Sequence, residues 1–60
     1  MNHFRVEFGP IDALNPRCGY SLKIENASSG NVVLWTSKAP DTGEPLTSPA
    51  DCLRVIAMYV

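Results

Sequence analysis

Two side chains in this chain of 60 residues could act as base and nucleophile near neutral pH, His3 and Cys18. Acyl-transfer chemistry needs a nucleophile, a base within hydrogen-bond reach and a third group that orders the base. His3 is the one histidine. It belongs to the alternating run His3-Phe4-Arg5-Val6-Glu7-Phe8, which puts His3, Arg5 and Glu7 together on the wet face of a strand. That is ordinary solvated surface rather than an ordered base. Cys18 stands in a loop between Arg17 and Gly19. Its thiol would need His3 or a helix N-terminus to become a thiolate at neutral pH. Cys52 falls within a helical pattern and reads as a small buried hydrophobe. One histidine and two distant cysteines lack zinc-ligand spacing, so no metal is expected. Gly30 and Gly43 are isolated turn residues with no lysine at P-loop spacing, and they form no phosphate cradle. Asn26-Ala27-Ser28 matches the glycosylation pattern and reads as a surface turn. The residues therefore point away from an enzyme and from any cofactor.

The side chains suited to contact are more prominent. Tyr20, Trp35 and Tyr59 could form a stacking platform for single-stranded nucleic acid, but that mode also needs a basic groove. The chain has five basic and six acidic residues, a formal net charge of −1, and its charges are scattered singly. This balance argues against direct nucleic-acid binding, whose footprint is clustered Lys and Arg. The aromatics are better read as core or interface anchors, since Trp and Tyr recur at binding hot spots. Val33, Trp35, Met58 and Tyr59 are the expected apolar contact residues. Asp41 and Glu44 are the expected polar ones.

These residues have to be positioned by a small number of elements. Phe4, Val6 and Phe8 alternate with polar residues, which predicts a strand ended by Gly9-Pro10. Residues 11–19 carry Asn15-Pro16 and Gly19 and read as a loop, with Ile11 and Leu14 tucked against the core. Tyr20, Leu22 and Ile24 alternate with Ser21, Lys23 and Glu25 in a second one-sided strand. A hairpin connection over residues 26–30 leads to a third strand over Asn31–Thr36, where Gly30 is free to take positive φ. Val32, Val33, Leu34 and Trp35 are apolar without alternation, the pattern of a strand covered on both faces. Residues 38–47 hold two prolines and a glycine and read as a loop with an acidic tip.

Ser48-Pro49-Ala50-Asp51 opens a helix that runs to Val60. Ser48 is the N-cap, Pro49 stands at N1 where its missing N–H costs nothing, and Asp51 at N3 favours the positive helix end. Beyond it only Arg54 is polar, so the helix carries more apolar surface than one small sheet can cover. Leu53 and Ile56 are the expected core positions on it. The predicted architecture is α+β: three antiparallel strands packed against one C-terminal helix in the order β-β-β-α, one compact domain over residues 1–60.

From Tyr20 onward the chain resembles the YegP-like family of small bacterial domains. The likeness is carried by Tyr20-Ser21-Leu22-Lys23, a glycine turn, Asn31-Val32-Val33-Leu34-Trp35-Thr36-Ser37, and Thr47-Ser48-Pro49-Ala50-Asp51-Cys52-Leu53-Arg54-Val55-Ile56. It covers about two-thirds of the chain. The connection between the first two strands and the proline-rich loop before the helix are both longer here. The resemblance implies a three-stranded sheet with a helix on it, often paired or in tandem, and no established activity.

A chain of this size buries only about 60% of its unfolded surface and is marginal alone. Disulfides, metals and oligomerisation are the common remedies. The chain begins Met1-Asn2-His3 with no leader-like apolar run, so it reads as a small complete cytoplasmic protein with two free thiols and no membrane segment. Its expected function is that of a non-enzymatic protein-interaction module. Size and the lack of site chemistry suggest an inhibitor from a phage or other mobile element, of anti-CRISPR type, acting on a host protein or nucleoprotein complex. A homodimer is a further expectation. The alternative is a small nucleic-acid-associated protein using its sheet face.

Overall fold

The computed structural model describes residues 3–60. Strand β1 spans Phe4–Pro10, β2 Tyr20–Asn26 and β3 Val32–Thr36, and helix α1 spans Pro49–Ile56. A single 3-10 turn, Pro16–Cys18, interrupts the first connection. The strands form one antiparallel sheet in the order β1-β2-β3. The α+β architecture and its β-β-β-α order are those read from the hydrophobic periodicity.

Register follows from alternation. β1 pairs with β2 from Phe4↔Asn26 to Pro10↔Tyr20, with Phe8 opposite Leu22 and Val6 opposite Ile24. These residues share the inner face, where Leu22 and Ile24 are completely buried. Cys52 and Val55 of α1 close on them, together with Leu46 and Ala39 from the loop before the helix. Phe4, Val6, Tyr20, Leu34, Ile56 and Tyr59 pack around this cluster.

Three local devices hold the connections. Asn26 Oδ1 accepts from the N–H groups of Ser28 and Ser29, at 2.9 and 3.2 Å, while Gly30 N–H donates to Asn26 C=O at 2.7 Å. Gly30 takes φ 78° to close that turn. Gly19 is the tighter case. It has φ 103°, and a Cβ there would stand 3.1 Å from the Leu46 carbonyl oxygen that accepts the Tyr20 N–H. Thirdly, Ser48 caps α1 by accepting from Asp51 N–H at 3.3 Å. Asp51 in turn accepts from the Thr47 N–H and hydroxyl at 3.1 and 3.0 Å. The start of the helix is thus the one its sequence specifies.

Several expectations are corrected. The third strand is an edge strand, not one covered on both faces. The helix packs over β1 and β2, and Val32, Val33 and Trp35 remain exposed. The loss of alternation has another cause, a β-bulge. Ile24 pairs with Leu34 but Glu25 pairs with Val32, so Val33 is an extra residue. A bulge of this kind re-aims neighbouring side chains and bends its strand. On the helix, Cys52 and Val55 dock while Leu53 is 56% exposed; Ile56 is only partly buried beside them. The docking stripe is therefore rotated from the expected one. Regular helix also ends at Ile56 rather than Val60, because Met58 and Tyr59 donate to residues three back. Ile11 and Leu14 lie exposed rather than against the core. Leu46 and Ala39, read as loop, are core residues instead.

Candidate protein-binding surface

The outer face of the sheet is built by the residues that alternate with the core positions. Arg5, Glu7 and Gly9 come from β1, Ser21, Lys23 and Glu25 from β2, and Trp35 from β3. The register sets Arg5 opposite Glu25, Glu7 opposite Lys23, Gly9 opposite Ser21, and Lys23 opposite Trp35. Arg5 Nη1 lies 3.4 Å from Glu25 Oε1. Lys23 Nζ lies 5.0 Å from the Trp35 ring centroid, a cation–π distance. The face's four charges therefore cancel, two basic against two acidic.

Trp35 is 69% exposed, although it is the largest side chain in the molecule. Val32 and Val33, aimed outward at the bulge, are 48% and 44% exposed. Gly9 and Ser21 are small, so the face dips beside the tryptophan. One shallow groove there is lined by Glu7, Gly9, Ser21, Lys23 and Trp35, and a second on its other flank by Ile11, Ser21, Thr36 and Ser37. Among the described residues no helix lies across this face, which leaves a tryptophan standing on an open sheet with both flanks accessible.

The other contact residues read from sequence fall elsewhere. Tyr59 packs against the core on the helix side of the sheet, and Met58, exposed, follows α1 on that side. Asp41 is turned inward on its own chain, since Arg54 Nη1 donates to its Oδ2 at 2.8 Å. That bond, first among its causes, holds the Asp41 carboxyl below its usual value. Glu44 lines a cleft of about 530 Å³ between this loop and α1, with Thr42, Thr47, Asp51 and Arg54. The Asp51 carboxyl is also held low, by the Thr47 N–H first and then the Thr47 and Ser48 hydroxyls. Val33 and Trp35 are thus brought together on one face, while Met58, Tyr59, Asp41 and Glu44 belong to the helix side. Val32, not singled out from the sequence, is exposed beside Val33 and Trp35. The signal for it was the same broken alternation that was read as burial.

The candidate nucleophile and base are held apart. His3 C=O accepts from Ala27 N–H at one end of the β1–β2 ladder, and Cys18 lies by Gly19, whose C=O accepts from Ile11 N–H at the other. Strands of this length separate them by roughly 20 Å. Cys18 and Cys52 are both free thiols, the first exposed and the second buried. Burial first, then the Asp51 charge, push the Cys52 thiol above its usual value. Among the described residues no three His, Cys, Asp or Glu side chains gather as metal ligands. Nor, among the described residues, is any helix long and apolar enough to cross a membrane. No family model, curated protein or solved structure matches this chain, so the likeness to YegP-like domains rests on the quoted residues from Tyr20 onward.

Proposed function

We propose that this chain is a non-enzymatic protein-interaction module that binds through the outer sheet face and the β3 edge. The observation that carries this reading is Trp35. A side chain with so large an apolar area is 69% exposed, beside exposed Val32 and Val33, on a face that no other element among the described residues covers. Tryptophan is one of the residue types enriched at interface hot spots. Its neighbours support the role, because Arg5 is paired with Glu25 and the Lys23 ammonium lies against the Trp35 ring, which lessens the charge a partner would have to desolvate. Within this reading the chain blocks a surface that a larger host complex needs, the mode of an anti-CRISPR-type inhibitor carried by a phage or other mobile element.

Affinity capture from a candidate host extract tests it. Trp35→Ala is expected to reduce capture at least tenfold with its circular dichroism unchanged, and charge reversal at Glu44 to reduce it far less. Capture that survives Trp35→Ala but fails on reversing Glu44 moves the interface to the helix side and overturns the reading.

One feature favours a second reading. Lys23 beside an exposed Trp35 is the minimal stacking platform for a nucleobase. Its backbone contacts would come from Arg5 and Lys23, set against Glu7 and Glu25 on the same face. Binding of a single-stranded oligonucleotide that falls steeply between 50 and 200 mM salt, as phosphate contacts require, would favour this alternative.

A further inference from the structure

We draw no further inference here: the strongest candidate, the exposed apolar edge of β3 at Val32, Val33 and Trp35, is interrupted by the β-bulge at Val33, and nothing in the structure shows what covers it.

Discussion

Gly19 shows most plainly how one residue conditions the fold. Its positive φ and the 3.1 Å approach of the Leu46 oxygen leave no room for a side chain, and that oxygen takes the Tyr20 N–H that starts β2. Gly19→Ala is expected to cost about 1–3 kcal/mol, the usual penalty for a strained backbone position, measured by urea denaturation. Leu46 is the second such residue. It is fully buried although it lies in an irregular segment between two prolines and a helix cap. Leu46→Ala is expected to destabilise by about 2–5 kcal/mol, as for core leucines generally. Leu53→Ala, at an exposed helix position, is expected to stay within about 0.5 kcal/mol. A larger effect at Leu53 than at Leu46 would mean that α1 docks by the face carrying Leu53.

The start of the helix is the element whose stability depends on pH. Asp41 and Asp51 are both held below the usual carboxylate value of about 3.9. A carboxylate with a depressed folded-state pKa contributes stability that is present above the unfolded value and is lost as pH falls through the folded one. Melting temperature is therefore expected to fall as the solution is acidified below about pH 4, and less so in Asp51→Asn, which has already lost that contribution. An identical acid profile in Asp51→Asn would show that the Thr47 bonds to Asp51 do not form in solution. Strands β1 and β2, the hairpin turn at Asn26 to Gly30 and the Ser48 cap were legible in the sequence because each is set by local chemistry: alternation, side-chain turn bonds and an N-cap. Burial of β3 and the docking stripe of α1 were not. Both depend on which elements lie over them, and an apolar run reads alike whether it is covered twice or bent outward by a bulge. Leu46 and Ala39 were hidden for the converse reason, since a loop's composition does not reveal that it is folded under the helix.

At the scale of the whole molecule, one short helix covers one face of a three-stranded sheet, and the tryptophan stands on the other. The sequence held more apolar surface than so small a domain could cover. That surface is divided among Val32, Val33 and Trp35 of β3, Leu53, Met58 and Val60 of the helix side, and Phe8, Ile11 and Leu14 at the end of β1 and in the connection after it. Val33 and Trp35, expected from the sequence as apolar contact residues, lie exposed near one another on β3, although the apolar run of that strand reads as covered on both faces. Their separation from Met58, Tyr59, Asp41 and Glu44 required the register, which only the paired strands supply.

Because Trp35 is the one tryptophan, its fluorescence reports on that surface without labelling. In dilute protein the account predicts the red-shifted emission and full acrylamide quenching of a solvent-exposed indole. As a captured partner is added, emission should shift to the blue and quenching should fall. Emission that is already blue and protected at the lowest concentration would contradict the exposed position of Trp35. Emission that stays red and quenchable under every condition of association would show that binding takes place away from this face.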